Sequence, residues 1–464
     1  MIKTFKQKYF GDRAFYRMVL TIAVPLIVQQ GITSFVTLLD NLMVGSLGTV
    51  PLSGVSIVNQ LAMVYNLTLF GGLSGASIFG AQFFGVEDWR GMRDTFRFRL
   101  FFGIGVTALA VTVFLIWGEN LALLFLENDS NTAEDIAATL TEARAYIKIA
   151  VWSLVPFMLS QVYVNLLRET GETFHPMIAS VIAILANLIL NYIFIFGKLG
   201  VPAMGVAGAA LATVIARVLE ALYVIVYTHR NHGKYRYIEG AFRSAAIPKE
   251  LCRRIVVTGT PLMFNEMLWS LGMTVISGNY AFRGLEVVAA SNIATSAWNL
   301  FCIIMMAMGS VTAIMVGQQL GAGDMEGAKD IDRKLIFVTV AVHIAIGVLQ
   351  ILTADLVPML YDVEQSTRDI AAAMLRIQGL VLPIHAYIHV AYFTIRSGGK
   401  TGITFLFDCF YTWCVPVVVS FIVCRYTGLS VVACYGLVQA TDLIKMAIAM
   451  PMLKSGFWAK NVIK

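Results

Sequence analysis

Residues 18–50 read MVLTIAVPLIVQQGITSFVTLLDNLMVGSLGTV, and they open an apolar stretch that continues to Val86. Between Met18 and Val86 the only charged side chain is that of Asp40. Since a membrane-crossing helix needs about 20 apolar residues, the stretch is long enough for two such helices. A carboxylate inside one of them is costly, and a partner, a proton or a water-filled cavity must offset that cost. The sequence therefore predicts a functional acid on a transmembrane helix.

A polar stripe leads up to this acid. Gln29, Thr33, Thr37 and Asp40 follow one another at i, i+4, i+8 and i+11, which places all four on one face of a helix. A buried carboxylate can bind and release a proton near neutral pH, and the other three side chains are expected to stabilise either state by hydrogen bonds. The alternative is a structural aspartate, bonded to a neighbouring helix or placed at the outer surface before the turn at 45–51.

The composition indicates an all-α polytopic membrane protein. Of 464 residues, 58% are hydrophobic and only 13% are charged, against roughly 25% charged residues in soluble domains. This leaves no room for a soluble catalytic domain. The net charge of +6 resides in short loops, so we expect no nucleic-acid partner. The six cysteines lie in or beside apolar runs without a CxxC pair, which favours reduced thiols over disulfides or a metal site.

Twelve membrane spans are predicted from the apolar runs. Their approximate bounds are 18–43, 52–84, 98–117, 145–167, 176–197, 204–228, 255–282, 287–318, 335–354, 374–395, 402–424 and 430–453. Of the 34 Lys and Arg residues, 25 fall on the side of the spans that includes both chain ends, and four fall on the other side. Basic loops are typically cytoplasmic, so both termini are expected in the cytoplasm. The basic, aromatic residues 1–17 are interpreted as a retained interfacial segment rather than a signal peptide.

An internal repeat divides the chain. At an offset of 236 residues, Pro25-Leu26 matches Pro261-Leu262, Gln82 matches Gln318, and Gly85 matches Gly321. The repeat predicts two six-helix lobes, 1–228 and 255–464, joined by a basic cytoplasmic linker at 229–254. Because six is even, both lobes enter the membrane in the same direction, as expected for a pseudo-two-fold axis along the membrane normal with the substrate path between the lobes. This plan is typical of transporters, although a duplication can also be purely structural.

Several stretches resemble the multidrug and toxic compound extrusion (MATE) family of transporters, bacterial type. One is PLIVQQGITSFVTLLDNLMVGSLGTVPLSGVSI at 25–57. Two more are the repeat-related GAQFFGVEDWRGMR at 80–93 and GQQLGAGDMEGAKD at 317–330. Each motif alone has little specificity, but they occur in the family's order over essentially the whole chain, in both halves.

The resemblance implies an antiporter that exports organic, often cationic, drug-like compounds in exchange for inward protons or sodium by alternating access. It implies a monomer of two lobes around a central cavity, in the bilayer of the bacterial cytoplasmic (inner) membrane. It implies no cofactor besides the coupling ion, H⁺ or Na⁺. Asp40 and Glu266 match the family's coupling acids on the first and seventh helices. Where some members carry an acid on the tenth helix, this chain has His385.

Further candidate residues lie in the second half. Glu266 opens a second stripe with Ser270 and Thr274, and it is a candidate for binding a substrate cation, sodium or a proton. His385 and His389 are spaced i, i+4, and their side chains titrate near neutral pH, which suggests a second proton relay. The residues expected to line the cavity with polar groups are Gln29, Thr33, Thr37, Ser270, Thr274, His389 and Asp408. For each candidate the structural alternative is an ordinary hydrogen bond between helices. The pairs Arg217/Glu220 and Asp442/Lys445 are interpreted as mutually neutralised.

Two rival functions remain open. A lipid-linked oligosaccharide flippase of the same superfamily would carry pyrophosphate, and it would need several cations in its cavity. Here the charges within spans and outside pairs are mostly acids and histidines, which favours cationic cargo. A membrane-embedded enzyme would need a clustered nucleophile or metal set. The sequence contains no HExxH, GxSxG or P-loop motif, so catalysis and ATP-driven transport are not expected.

Overall fold

The computed structural model describes residues 8–126, 132–361 and 363–463, except the side chains of Thr37, Leu38 and Leu285. Every regular element among these residues is helical, which confirms the predicted all-α class. The first half contains α1 (Arg13–Gly45), α2 (Thr49–Gly85), α3 (Trp89–Leu126), α4 (Ala133–Ala150), α5 (Leu154–Glu169), α6 (Phe174–Phe196) and α7 (Gly205–Arg230). The second half contains α8 (Lys249–Ala281), α9 (Leu285–Phe301), α10 (Ile303–Ala322), α11 (Met325–Leu352), α12 (Gln365–Ser397), α13 (Thr401–Phe405), α14 (Tyr411–Cys414), α15 (Pro416–Tyr426) and α16 (Val431–Ser455).

These helices form twelve consecutive segments, in the order predicted from the sequence. A short 3₁₀ turn at Val151–Ser153 joins α4 to α5, and a π turn at Leu406–Phe410 joins α13 to α14. Among the described residues, eleven segments are long and apolar enough to cross a membrane. The remaining segment, α8, has 33 residues but is more polar, since it carries Glu266, two asparagines and several charged residues in its first two turns.

The helix boundaries repeat at the offset found in the sequence. Both α1 and α8 have 33 residues, and their first and last residues are 236 positions apart. The same offset relates the start of α2 to that of α9 and the start of α3 to that of α11. One difference breaks the symmetry. The second span is a continuous helix of 37 residues, whereas its counterpart is interrupted at Cys302.

The chain forms two compact units. The N-unit comprises 24–80 and 89–254, and the C-unit comprises the described residues up to Ala23, the short segment 81–88, and the chain from Ile255 onwards. The basic segment 229–254 therefore packs within the N-unit. Arg97 at the start of α3 holds it, since its Nε donates to the carbonyl of Ala241 at 2.8 Å.

Two helices of the N-unit lie close together where the polar site forms. The glycine at position 208 of α7 faces the backbone of Phe194 on α6, and a Cβ atom there would approach the Phe194 carbonyl carbon to 2.7 Å. Small residues at helix interfaces allow such close packing in membranes. Residues of this unit, including Tyr146 of α4 and Ile195 of α6, are buried in one hydrophobic cluster. This packing fixes the positions of the side chains that α6 and α7 contribute to the site.

In the C-unit, the residues after α16 are anchored. Trp458 is only 1% exposed, and Asn461 donates to the carbonyls of Leu320 and Gly321 at 3.0 Å each. The backbone N–H of Val462 donates to Gln82 Oε1 at 2.7 Å. The last described residues thus bind the end of α10 and Gln82 near the end of α2.

Candidate functional site

Asp40 lies at the centre of a polar cluster in the N-unit. It is half-buried on α1, and its Oδ1 accepts a hydrogen bond of 2.9 Å from Nδ2 of Asn191 on α6. Asn187, one helical turn earlier, donates to Oδ2 at 3.0 Å when its amide nitrogen faces the carboxylate. In that orientation its oxygen accepts from the backbone N–H of Thr213 at 3.3 Å. Two amides thus hold the carboxylate, and one of them connects it to α7.

A cavity of about 150 Å³ lies in the same unit. Thr213 and Arg217 line it from α7, where their i, i+4 spacing places them on one face. Tyr146 lines it from α4 and interacts electrostatically with both Asp40 and Arg217. Asn59, Asn66 and Phe157 are also among its lining residues. The cavity therefore combines polar groups with aromatic side chains.

The predicted stripe on α1 divides between two environments. Gln29 does not contact Asp40, because its Nε2 donates to Ser180 Oγ at 2.6 Å and its Oε1 accepts from Arg168 Nη2 at 2.8 Å. Thr33 donates to the carbonyl of Gln29 on its own helix. The side chain of Thr37 lies outside the described residues. Asp40 and Gln29 thus share a helix face without sharing a site.

A second polar chain connects Gln29 to the cavity. Ser180 donates to Oε1 of the buried Glu220 at 3.0 Å, and Nη1 of Arg217 lies 2.8 Å from Oε2 of the same carboxylate. The predicted pair Arg217/Glu220 is therefore confirmed. Arg217 is nevertheless 39% exposed and lines the cavity, with its guanidinium 4.9 Å from the ring centroid of Phe157. Its charge acts on Asp40 as well as on Glu220.

The C-unit contains its own cluster of charges around Asp408. This residue lies in the π turn that joins α13 to α14, and such turns often occur at functional sites. Its Oδ1 accepts from Lys445 Nζ at 2.7 Å, and its Oδ2 accepts from Asn265 Nδ2 at 3.0 Å. Asp408 is therefore a neutralised, well-bonded acid rather than an isolated charge.

Glu266 is connected to this cluster through a tyrosine. The hydroxyl of Tyr392 donates to Glu266 Oε1 at 3.3 Å, and Asn265 Nδ2 lies 3.3 Å from the same hydroxyl. Among the described residues Glu266 makes no ion pair. The rest of its predicted stripe does not join it, since Thr274 is exposed and donates to the carbonyl of Ser270 on its own helix.

The two histidines of α12 have different surroundings. His385 Nδ1 lies 3.0 Å from Oδ2 of Asp442, and the ring contacts Trp298 at a centroid distance of 4.8 Å. His389 is packed with Phe393, and its buried Nε2 has no hydrogen-bond partner among the described residues. The expected pairing of Asp442 with Lys445 is wrong. Lys445 forms its ion pair with Asp408 in the π turn, and the Asp442 carboxylate lies against His385 of α12.

Within the described part of the chain, no three His, Cys, Asp or Glu residues are arranged to hold a metal ion. The six cysteines, all described, are free thiols. The clusters of the two units are thus built from carboxylates, amides, hydroxyls, arginines, a lysine and two histidines.

Comparison with known proteins identifies the family. The profile of the MatE family matches residues 25–193 and 261–422, which is most of the chain and includes both halves. The chain belongs to this family. It is the MATE family that the sequence motifs indicated, a family of multidrug efflux transporters, so the protein is a multi-pass membrane transporter and not an enzyme.

Curated relatives cover nearly the full length. The chain is 22% identical over 447 residues to the Thermotoga maritima "Probable multidrug resistance protein NorM", which spans 95% of this chain and 93% of the relative. It is 23% identical over 379 residues to the multidrug resistance protein MdtK of Edwardsiella ictaluri, spanning 81% of this chain and 79% of that one.

Solved structures share the MATE fold. A mutant of the Vibrio cholerae MATE transporter VcmN superposes with a TM-score of 0.85 at 17% identity, covering 97% of this chain and 98% of that one. An outward-facing multidrug resistance MATE transporter of the MOP superfamily gives 0.84 at 18% identity, covering 96% and 97%. These matches support the predicted twelve-span fold.

The residues that bind the Asp40 carboxylate were not predicted from the sequence. Asn187 and Asn191 are spaced i, i+4 in an otherwise apolar helix, as are Thr213 and Arg217, so a polar face on each helix could have been recognised. The sequence does not reveal that these two faces meet α1 at Asp40. That depends on which helices are neighbours.

Proposed function

We propose that this MATE protein is a secondary active antiporter that exports organic, cationic, drug-like compounds in exchange for inward protons or sodium. The observation that carries the proposal is the half-buried Asp40 carboxylate, held by the amides of Asn187 and Asn191 in a unit that also contains a cavity lined in part by polar groups. An acid held in this way can change its charge without losing its position.

The proposed cycle uses that change of charge. When Asp40 is ionised, its negative charge favours a bound organic cation. Binding of a proton or sodium ion from outside cancels the charge, so the cation is released outside, and the loaded protein returns to the inward-facing state. A membrane potential of about 150 mV supplies about 3.5 kcal/mol per charge moved inwards. That energy supports roughly a 300-fold gradient of exported compound per coupled charge.

The C-unit cluster is proposed as a second ion-responsive site. Lys445 already neutralises Asp408, which leaves Glu266 as the acid of this cluster that is bonded to a neutral group, the Tyr392 hydroxyl. We assign Glu266 the role of binding a cation or proton there. His385 and Asp442 form a neighbouring donor–acceptor pair through which a proton can pass.

The proposed membrane location, orientation and cargo are those predicted from the sequence. We propose a monomer in the bacterial inner membrane, with both termini in the cytoplasm and organic cations as cargo. The distribution of basic residues supports this orientation. The curated relatives are named as multidrug resistance proteins, which supports drug-like cargo. The flippase alternative is disfavoured because Arg217 and Lys445 are each bound to an acid, at 2.8 and 2.7 Å. They are therefore not free to hold a pyrophosphate.

Transport by purified protein in proteoliposomes tests the proposal. Ethidium export should follow an imposed pH gradient, a sodium gradient, or both, and should need no ATP. Wild-type protein that moves ethidium equally well without either gradient, or that translocates a pyrophosphate-linked lipid instead, would contradict the antiport function. Liposomes without protein give the background rate.

A further inference from the structure

One buried acid of the C-unit has no part in the proposed transport cycle. Asp332 lies on α11 and is only 4% exposed. We propose that Asp332 is a proton-binding residue, whose carboxyl carries a proton at neutral pH and donates it to the hydroxyl of Thr394 on α12. This inference goes beyond the proposed antiport and does not depend on the role of Asp40.

The position of Asp332 follows from the periodicity of α11. Asp332, Leu335, Thr339 and His343 are all buried, and they follow one another at i, i+3, i+7 and i+11. This spacing places them on one face of the helix. Helix α11 packs against α12 and α10. The carboxyl of Asp332 therefore belongs to the packed face of α11 and not to a solvated one.

The hydrogen bonds of Thr394 locate the proton. Its Oγ1 lies 2.9 Å from the carbonyl oxygen of Val390, one turn earlier on α12, and it also contacts Oδ1 of Asp332. A hydroxyl has a single hydrogen to donate, and a carbonyl oxygen can only accept. Threonine commonly donates to the carbonyl four residues earlier in a helix. Both contacts are therefore hydrogen bonds at the same time only when Asp332 supplies the second hydrogen.

Other acids show what an ionised carboxylate receives in the interior of this protein. Three further acids of the described chain are buried to a similar degree, and each is bound to an arginine. The pairs are Asp94–Arg97, Glu169–Arg99 and Glu220–Arg217, with N–O distances of 3.1, 2.6 and 2.8 Å. Asp332 forms no ion pair with any described residue. A carboxylate buried without a counter-charge is strongly unfavourable, and a bound proton removes that cost.

The charged groups near Asp332 are engaged elsewhere. Helix α10 contributes none, since residues 303–322 include no charged or titratable side chain. The charged or titratable groups of α11 and α12 nearest to the contact in sequence are Lys329, Asp330, Arg333, Lys334, Tyr387, His389 and Arg396. The basic residues of α11 are bound to other acids, Lys329 to Glu326 and both Arg333 and Lys334 to Asp330. The guanidinium of Arg396 lies over the ring of Phe393, 5.3 Å from its centroid.

The bound proton has a defined effect on the packing of the C-unit. In the neutral form, the carboxyl joins α11 to α12 without adding a charge to the interior. Loss of the proton would leave the Val390 carbonyl and the Asp332 carboxylate competing for one hydroxyl hydrogen, with an uncompensated charge beside them. The contact between the two helices therefore depends on proton occupancy.

Infrared spectroscopy of the full-length protein, purified in detergent at neutral pH, tests the proposal. Asp332→Asn should lose absorbance at the carbonyl stretch of a protonated carboxylic acid, because the amide has the same shape but no such group. Asp94→Asn is the matched control. Asp94 is similarly buried but bound to Arg97, so its removal should reduce carboxylate absorbance instead. Loss of carboxylate absorbance in Asp332→Asn, with the acid absorbance unchanged, overturns the inference.

A second pair of variants keeps Asp332 and changes its acceptor. Thr394→Val removes the hydroxyl, so the acid carbonyl stretch should remain but shift in frequency. Thr394→Ser keeps the hydroxyl and should leave the frequency unchanged. An acid band in Thr394→Val that is identical to that of the wild type would contradict a proton shared between Asp332 and Thr394. These variants provide the test even if Asp332→Asn does not fold.

Discussion

Asn191 on α6 donates a hydrogen bond of 2.9 Å from its Nδ2 to Oδ1 of Asp40 on α1. This bond joins α1 to α6, 151 residues later in the chain, and it holds the proposed coupling acid in place. A charge-assisted bond of this kind fixes the carboxylate more firmly than a neutral bond would.

Removing this donor should impair transport without unfolding the protein. Asn191→Ala leaves the Asp40 carboxylate held by one amide, and the loss of a bond to a charged group is worth about 1.5–3 kcal/mol, or roughly 10-fold or more in rate. Initial rates of ethidium export under a pH gradient measure the effect. Asn231→Ala is the matched control, since Asn231 is exposed at the end of α7 and its side-chain amide donates to the carbonyl of Tyr227. Equal rates for the two variants would disprove the positioning role.

The ion pair between Asp408 and Lys445 should contribute to stability as a unit. Lys445→Met leaves a largely buried carboxylate without its cation, and such a loss typically costs about 3 kcal/mol or more. The double variant D408N/K445M removes both charges and should regain most of that loss. Thermal unfolding in detergent of the two single variants and the double variant gives the coupling energy. Additive losses would show that the pair is not coupled.

Gly85 and Gly321 should resist substitution. A Cβ atom at Gly85 would overlap the backbone carbonyl of Gln318, and one at Gly321 would overlap that of Gln82, so neither clash can be relieved by a rotamer change. Alanine at either position should destabilise the protein by about 1–3 kcal/mol or more. Gly278→Ala is the control, because nothing lies within 4 Å of a Cβ there and alanine favours the helix. If Gly85→Ala unfolds at the same temperature as Gly278→Ala, the close approach of Gly85 to the Gln318 carbonyl is contradicted.

The turn between α5 and α6 should show a pH-dependent contribution. Burial opposes ionisation of Glu172, but its bond of 2.9 Å to Lys234 Nζ and the charge of that lysine outweigh burial and hold the pKa of the carboxyl below its usual value of 4.5. A depressed pKa stabilises the fold above pH 4.5, and that stabilisation is lost as the pH falls through the folded-state pKa.

Glu172→Gln should therefore lower the unfolding temperature at pH 7 but not at a pH well below 4.5. The effect is small, about 0.5–1 kcal/mol, because Lys234 is largely exposed. Glu326→Gln, in an exposed pair with Lys329, should show almost no difference at either pH. A Glu172→Gln difference that grows on acidification would reverse the expected sign.

The fold could be predicted from the sequence because the length and periodicity of apolar runs are local properties. The repeat predicted related first and seventh helices, and α1 and α8 do have the same length and the same offset at both ends. The break at Cys302 and the π turn around Asp408 were not predicted, since each depends on packing against other helices.

The candidate sites could be predicted from the sequence only in part. Asp40 was recognised from its isolation, and its stripe does lie on one helix. Gln29 was assigned to the wrong neighbourhood, because helix geometry fixes a face but not what covers it. Gln29 binds Ser180 and Arg168, while the groups that hold Asp40 come from α6. A spacing of i, i+3 likewise did not decide which residues form an ion pair. Lys445 was expected to bind Asp442 but binds Asp408.

Coupled efflux by Asp40→Asn tests the central claim most directly. Everted membrane vesicles that contain equal amounts of wild type or variant are energised, and ethidium accumulation is followed. The amide keeps the shape of the carboxylate but cannot carry its charge, so accumulation should fall to the level of vesicles without the protein. Glu134→Gln, which removes an exposed acid from the same unit, should transport like the wild type. Full ethidium transport by Asp40→Asn would contradict the account.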